Sequence, residues 1–173
     1  MADQSRINDL RLRVERDPAS IAFAQLAEEY RRAGQLDEAV QTCRTGLATH
    51  PEYISARVTL GRALLAAGRL QEANAELSHV LAQTPDNLAA VRALAETCRR
   101  QGRLQDALTH YRSALALAPN DPDVDRVVKD LEHAVTDAAH RVQDASRQRA
   151  VATLAALERW LEAIDATRAQ RRA

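Results

Sequence analysis

The segment that decides the fold is ALLAAGRLQEA at residues 63–73. Variants of it occur before and after it at equal spacing, as EYRRAGQLDEA at residues 29–39 and as TCRRQGRLQDA at residues 97–107. Four residue types recur three times each at this spacing: Gly34, Gly68 and Gly102; Leu36, Leu70 and Leu104; Ala39, Ala73 and Ala107; Pro51, Pro85 and Pro119. The spacing is 34 residues each time, and a fixed period of this length indicates an array of stacked structural units.

Each unit is predicted to contain two helices. In the first unit the i, i+3, i+4, i+7 spacing places one apolar face on a helix, at Phe23, Leu26, Ala27 and Tyr30. The glycine ends this helix because it adopts a positive φ at no steric cost, and the proline closes the second helix. Small residues on the apolar faces, such as Ala27, Gly61 and Ala95, let paired helices approach closely. One hairpin cannot bury its apolar face alone, whereas three stacked hairpins share a core.

The composition places the chain among globular proteins. Its 173 residues are 46% apolar and 28% charged, which excludes a wholly disordered chain and a collagen. Aromatic residues make up 3%, glycine and proline number five each, and alanine, leucine and arginine dominate, so we expect an all-helical protein. The apolar stretches are too short for membrane insertion. Basic and acidic residues number 24 each, so no basic excess indicates nucleic-acid binding.

Two features favour a cytoplasmic location. Cys43 and Cys98 are too few and too far apart for a disulfide framework, and no apolar segment of a secretory signal follows Met1. Of the 24 basic residues 23 are arginine, a bias that we associate with bacterial genomes rich in G and C.

The two ends of the array are predicted to carry capping helices. Residues 1–19 form the N-terminal cap, with an apolar stripe at Ile7, Leu10 and Val14. Asp121 and Pro122 are favoured residues for a helix start. They predict a C-terminal cap at residues 122–140, with its stripe at Val124, Val127, Val128, Leu131 and Val135. The polar residues 140–149 are interpreted as a hinge, with one long helix as the alternative.

The repeat resembles the tetratricopeptide repeat, whose pattern places a large residue, Leu-Gly, Tyr, Ala, Phe and Pro at fixed spacings. The first unit matches as Phe23, Leu26-Ala27, Tyr30, Ala39, Cys43 and Pro51; the second as Arg57, Leu60-Gly61, Leu64, Ala73, Leu77 and Pro85; the third as Val91, Leu94-Ala95, Cys98, Ala107, Tyr111 and Pro119. The resemblance implies an all-α fold. This fold is an α-solenoid in which hairpins at 20–53, 54–87 and 88–121 form a right-handed superhelix between N- and C-terminal capping helices.

The resemblance also implies a concave groove, lined by the first helix of each repeat, that binds an extended or helical peptide. The positions carried over to this chain are Gln25, Glu28, Arg31, Arg32, Val58, Arg62, Leu65, Arg92, Glu96, Arg99 and Arg100. The arginines have two interpretations. They grip carboxylates and planar groups of a partner. Alternatively, they pair with glutamates of their own helix, since Arg32 follows Glu28, and Arg100 follows Glu96, by four residues.

One subgroup of the family, the chaperone adaptors, grips a C-terminal carboxylate with Lys, Asn and Arg residues on these inner helices. The equivalent positions of this chain hold Ala24, Glu28, Thr59, Ala89 and Ala93. Binding of a chaperone tail is therefore not expected.

The C-terminal segment 141–173 is predicted to contain the hinge and then an amphipathic helix. Leu154, Leu157, Leu161 and Ile164 recur at spacings of 3, 4 and 3 residues, which predicts a two-heptad seam with Trp160 beside it. One edge of the seam is acidic, at Glu158, Glu162 and Asp165. An exposed stripe of this kind is an association surface that fills the chain's own groove, pairs with a copy of itself or docks on another protein. A plain extension of the capping layer is the remaining interpretation.

The sequence lacks the common catalytic signatures. It contains no Gly-rich phosphate loop, no Gly-x-Ser-x-Gly and no His-x-x-x-His, and both cysteines lie on apolar stripes. The chain is therefore predicted not to be an enzyme and to use no metal or cofactor. We expect an adaptor or assembly scaffold that binds a peptide or helix of another protein in its groove. The alternative is a self-associating scaffold that dimerises, or whose groove is filled, through the helix at 150–168.

Overall fold

The computed structural model describes the backbone of residues 2–17 and 20–170 and the side chains of residues 4–17 and 20–163. Within these ranges every regular element is an α-helix. The helices are α1 (Ala2–Arg16), α2 (Ala22–Arg32), α3 (Leu36–Thr49), α4 (Ile54–Ala66), α5 (Leu70–Gln83), α6 (Leu88–Arg100), α7 (Leu104–Leu117) and α8 (Pro122–Gln170). Met1, Pro18, Ala19 and residues 171–173 of the predicted terminal segments lie outside the described residues.

The chain divides into two compact units, Met1–Leu131 and Glu132–Ala173. In the first unit α2 packs against α3, α4 against α5 and α6 against α7, which gives one helical hairpin per repeat. Each hairpin packs on the next through α3 with α4 and α5 with α6, and α1 packs on α2. The first helices of the repeats contact one another in the order α2, α4, α6 and so form one layer. The predicted all-α solenoid is confirmed.

The turns that join the first and second helices repeat in every hairpin. Gly34, Gly68 and Gly102 have φ values of 77°, 75° and 76°, which a residue with a Cβ adopts only at a steric cost. The next residue donates its backbone N–H to a carbonyl five residues earlier, from Gln35 to Tyr30, Arg69 to Leu64 and Arg103 to Cys98, at 2.9, 2.9 and 3.0 Å. Each bond satisfies a carbonyl that the helix end leaves without a partner. The recurrence of glycine at one position of every repeat therefore has a backbone cause.

Small residues set the distance between paired helices. Ala27, Ala39, Ala73, Ala95 and Ala107 all have 0% exposure. At Gly61 an added Cβ would lie 2.6 Å from Cγ of Leu77, so even one methyl group has no room there. The predicted packing role of these small residues is confirmed.

The first repeat contains a large side chain against a glycine. A Cβ on Gly46 would overlap the ring of Phe23. His50 stacks on this ring with the centroids 6.1 Å apart, and Tyr53 meets its edge at 5.9 Å. The third repeat holds Val91 and Ala114 at the positions of Phe23 and Gly46. Volume is therefore distributed differently between the two helices in different repeats.

The structure differs from the sequence interpretation at residues 140–149. No hinge interrupts the helix there, because α8 runs from Pro122 to Gln170. The segment lacks glycine and proline and is rich in Arg and Gln, which both favour helix. Residues 141–150 are all exposed. Their weak apolar patterning thus indicates a helix without a core to face, and the predicted break is corrected.

The start of α8 follows the sequence prediction. Oδ1 of Asp121 accepts the backbone N–H groups of Asp123 and Val124, each at 3.1 Å, as an N-cap residue does. Within the first unit the stripe that follows is buried at Val124, Val128 and Leu131. None of the described helices, α8 included, combines the length and the apolar character that a membrane span requires.

Ala73→Trp is expected to destabilise the solenoid by about 3 kcal/mol or more, because an indole does not fit where a methyl group is fully buried. Urea unfolding followed by far-ultraviolet circular dichroism measures the loss. Ala75→Trp is the matched control, because Ala75 is exposed on the same helix α5. Equal stability of the two variants would contradict the helix pairing.

Gly46→Ala is expected to cost about 1–3 kcal/mol, because the new Cβ overlaps the Phe23 ring. Combining it with Phe23→Val reproduces the pair that the third repeat already contains. The double variant is expected to lose at least about 0.5 kcal/mol less than the sum of the two single losses. A double-mutant cycle on the free energy of unfolding measures this coupling, and strictly additive losses would show that the overlap is relieved elsewhere.

Candidate functional site

A groove of about 760 Å³ follows the layer of first helices within the first unit. Residues of α4 and α6 form most of it, and the last turn of α2, Tyr111 of α7 and the first turns of α8 complete it. Its apolar lining consists of Leu65, Ala66, Leu88, Ala89, Ala93, Val124 and Val127. This groove is the candidate functional site.

The structure divides the predicted groove residues. Six of them line this groove: Arg31, Arg62, Leu65, Arg92, Glu96 and Arg100. Gln25, Glu28 and Arg32 line a separate depression of about 280 Å³, together with Arg6 and Tyr53. Val58 is buried and Arg99 is exposed beside Glu96, and neither lines the groove or the depression.

Sequence reasoning did not assign the contribution of α8 to the groove. Asp123 and Val127 line it, and they follow Ala89 and Ala93 of α6 by one repeat period. The period therefore continues into α8, whose first turns take the place of the first helix of a further repeat. Extending the repeat register past Pro119 would have found these residues.

Glu96 is the centre of a charge cluster on α6. Its carboxylate accepts hydrogen bonds from Nε and Nη2 of Arg99 at 2.7 and 2.9 Å, from Nε of Arg100 at 2.7 Å and from the hydroxyl of Tyr111 at 3.0 Å. Burial opposes ionisation, yet these bonds outweigh it and hold the pKa of Glu96 at about 2. Burial and the same carboxylate raise the pKa of Tyr111 to about 12. The carboxylate is therefore charged at neutral pH, and Tyr111 stays a donor to it.

Glu28 on α2 holds the equivalent position in the first repeat and shows the same arrangement. It accepts hydrogen bonds from Nε and Nη2 of Arg31 at 2.9 and 2.8 Å and from Nε of Arg32 at 3.2 Å. The bonds from Arg31 are the main cause that lowers the pKa of Glu28 below its ordinary value. The arginines of both clusters therefore follow the second interpretation, in which they pair with a glutamate of their own helix.

Arg92 pairs outside its own helix. Its Nη1 donates to Oδ2 of Asp121 at 2.7 Å. Asp121 is also the N-cap residue of α8, so this contact ties α6 to the start of α8. Arg92 therefore lines the groove while its charge is paired with the carboxylate of Asp121.

Arg62 occupies a different electrostatic environment. It lies on α4 at the repeat position that Glu28 and Glu96 hold in the neighbouring repeats. The residues three and four positions after it are Leu65 and Ala66, which carry no charge. Its ion pair joins Nη1 to Oε1 of Glu28 across 3.6 Å, which is beyond hydrogen-bond distance. Arg62 is therefore a groove arginine that its own helix does not neutralise.

The predicted association stripe on α8 belongs to the second unit and is exposed. Leu154, Leu157, Trp160 and Leu161 have exposed fractions of 61%, 52%, 61% and 55%. The side chain of Ile164, the last predicted member, lies outside the described residues. Exposed large apolar side chains at helical spacing are typical of interaction surfaces, so the stripe stays a predicted association surface.

The two cysteines are not activated as nucleophiles. Cys43 and Cys98 are buried free thiols, and burial raises the pKa of Cys43 to about 12, so its reactive thiolate form is suppressed. Among the residues that the structure describes, no group of three or more His, Cys, Asp or Glu is placed to hold a metal ion.

Several solved structures share this fold at low sequence identity. MamA from Desulfovibrio magneticus RS-1 is 17% identical with a TM-score of 0.69, over 84% of this chain and 86% of that one. The first TPR domain of human RPAP3 is 16% identical with a TM-score of 0.64, over 69% and 94%. The first TPR of Spaghetti (RPAP3), bound to the HSP90 peptide SRMEEVD, is 16% identical with a TM-score of 0.65, again over 69% and 94%. No curated protein sequence matches the chain.

Family models give the closer assignment. Two models, each described as a tetratricopeptide repeat, match residues 30–98 and 88–128. Together they span residues 30–128, which is more than half of the 173 residues and includes most of the three hairpins. The chain belongs to the tetratricopeptide repeat family.

Proposed function

We propose that the chain is a non-catalytic protein–protein interaction module, an adaptor or assembly scaffold whose groove binds a peptide or helix of another protein. The observation that carries this proposal is the groove of about 760 Å³ with an apolar lining between charged walls. An apolar lining buries apolar side chains of a partner, and charged walls fix its orientation.

The extent of the groove favours a polypeptide over a small molecule. Its lining residues come from the layer of α2, α4 and α6, from the start of α8 and, at Tyr111, from α7. Neighbouring packed helices lie about 8–10 Å apart, so four of them span about 25–30 Å. This is about the length of a helix of 16–20 residues.

The groove pKa values also favour binding over catalysis. Acid–base catalysis at neutral pH uses groups whose pKa lies near 7. The pKa of Glu96 is instead held at about 2 and that of Tyr111 at about 12. Both groups therefore keep one protonation state and serve as fixed charge and fixed donor.

The partner differs from the one held by the TPR of Spaghetti, which binds the HSP90 peptide SRMEEVD. The clamp positions implied by the family resemblance hold Ala24, Thr59, Ala89 and Ala93 in this chain, which carry no charge. Glu28 at the remaining position would repel a terminal carboxylate. We therefore infer that a chaperone tail is not the partner. For location we propose a bacterial cytoplasm, in keeping with the arginine bias and the two free cysteines.

A second candidate function is self-association through the helix at 150–168. The exposed stripe at Leu154, Leu157, Trp160 and Leu161 favours it, because burying these side chains against any partner removes a large apolar area from water. This candidate makes the chain an assembly scaffold rather than an adaptor.

A display selection of random peptides against the full chain is expected to enrich peptides that bind the groove. Ala89→Trp should weaken the selected peptides at least about tenfold, because Ala89 lines the groove and is exposed, so an indole there obstructs the site. Fluorescence polarisation measures the affinities, with Ala75→Trp on the outer helix α5 as the control. Peptides that bind both variants equally, or a selection that enriches none, would contradict groove binding.

Truncation after His140 is expected to abolish any self-association without unfolding the solenoid, because α1–α7 and the buried residues Val124, Val128 and Leu131 remain. Light scattering gives the mass, and thermal unfolding of both forms serves as the folding control. An oligomer of unchanged stoichiometry after truncation would remove the C-terminal helix from the account.

A further inference from the structure

We infer that the groove is occupied by the α8 segment 150–163 of a second copy of this chain, with Arg62 as the contact for the acidic edge of that segment. The inference rests on the proposed groove-binding function and names its partner. Arg62 is then the specificity-determining residue of the groove.

Arg62 is incompletely paired. Its side chain is 38% exposed, and within the described residues no carboxylate approaches it closer than the 3.6 Å to Oε1 of Glu28. That oxygen already accepts hydrogen bonds from Arg31 at 2.8 Å and Arg32 at 3.2 Å. Arg62 therefore has donors to offer to an incoming carboxylate, which a guanidinium binds with two parallel hydrogen bonds.

The surroundings of Arg62 reinforce this. Partial burial and the neighbouring Arg31 lower the pKa of Arg62, and Glu28 offsets them only in part. A lowered pKa means that the environment disfavours the charged guanidinium. An anion bound beside Arg62 would relieve this penalty. The other groove arginines are already paired, because Arg31, Arg92 and Arg100 each have a carboxylate oxygen within 2.8 Å.

The groove requires a particular pattern of side chains from its ligand. Leu65 and Ala66 lie one helical turn from Arg62 on α4, and Ala89 and Ala93 continue the apolar lining on α6. A complementary helix presents a carboxylate one turn away from large apolar side chains.

The described part of α8 carries this pattern. Glu158 follows Leu154 by four residues and precedes Leu161 by three, so both leucines are its neighbours on one helical face. All three side chains are exposed, and Glu162 extends the acidic edge by a further turn. The sign of this edge is opposite to that of Arg62.

Pairing of α8 with its own copy is a weaker solution for the same stripe. The seam positions that precede Leu154 hold Arg147 and Ala150, so the apolar seam extends over only about two heptads. The groove instead offers an apolar lining and an opposite charge.

Binding of α8 in a neighbour's groove is a head-to-tail contact between two different surfaces. Such contacts build open chains or closed rings, whereas a self-complementary seam stops at a dimer. The proposal therefore predicts self-association, from a reciprocal two-membered ring upwards, that grows with concentration and falls with added salt.

Sedimentation velocity of the full chain tests the proposal, and the emission of Trp160, its single tryptophan, reports burial of the α8 stripe. Arg62→Glu and Glu158→Arg are each expected to weaken association at least about tenfold. The double variant Arg62→Glu with Glu158→Arg restores opposite charges between copies and is expected to recover association to within about threefold of the wild type. Arg44→Gln is the control, because Arg44 is an exposed arginine of α3 that does not line the groove.

Each outcome decides the question. A wild-type chain that stays monomeric, association that Arg62→Glu leaves unchanged, or failure of the double variant to recover would overturn the inference. A dimer that depends on Leu157→Asp but not on Arg62→Glu would assign the stripe to a seam between two α8 helices. Display-selected peptides that bind the groove of a monomeric chain would retain the proposed function while removing this partner. Circular dichroism of every variant confirms that the solenoid is folded.

Discussion

The close approach of two helices within each hairpin is the constraint on which the rest of the structure depends. Ala73 and Ala107 are fully buried, and Gly61 has no room for a methyl group beside Leu77. Helices that pack at this distance place their backbones, and not only their side chains, in a fixed relation. The same positive-φ glycine turn joins the two helices of every hairpin, so this relation is repeated in each hairpin. The groove follows, because the first helices are thereby kept in one layer.

Equivalent residues of successive repeats meet in this layer, so one repeat position acts as a column of side chains. The column at positions 28, 62 and 96 reads Glu28, Arg62 and Glu96. Each glutamate accepts hydrogen bonds from two arginines of its own helix. Arg62 in the central repeat has no acidic residue on its own helix α4 to bond with. Against the cost of burial, the bonds to Glu96 hold its carboxylate ionised, with a pKa of about 2, so the charge of the cluster is largely satisfied within its own helix. Because both glutamates bind arginines of their own helices, Arg62 is the position in this column whose charge remains available to a ligand.

The sequence predicted the features that local chemistry determines. The period, the glycine turns, the N-cap at Asp121 and the buried alanines all depend on residues near in sequence or repeated at one spacing. It did not decide between the two interpretations of the groove arginines, partner binding or pairing with a glutamate of their own helix. The pairing of Glu96 also involves Tyr111 from another helix, which local spacing does not reveal. The hinge at 140–149 was wrong and the alternative of one long helix holds, because apolar patterning measures burial, and an exposed helix rich in Arg and Gln needs none. Val58 was assigned to the groove although its side chain is buried.

The second repeat carries Arg62 where its neighbours carry Glu28 and Glu96. This difference has an energetic cost that the fold does not require. A glutamate at position 62, followed by arginines at 65 and 66, would reproduce the self-contained clusters of the first and third repeats. Instead Leu65 and Ala66 give this part of the groove an apolar lining, and Arg62 beside them is partly desolvated with an incomplete ion pair. Buried or half-buried charges without good partners destabilise a folded protein. Among the described residues no carboxylate lies closer to Arg62 than that of Glu28, and the ligand that we infer, a helix with a carboxylate beside apolar side chains, would supply the missing partner.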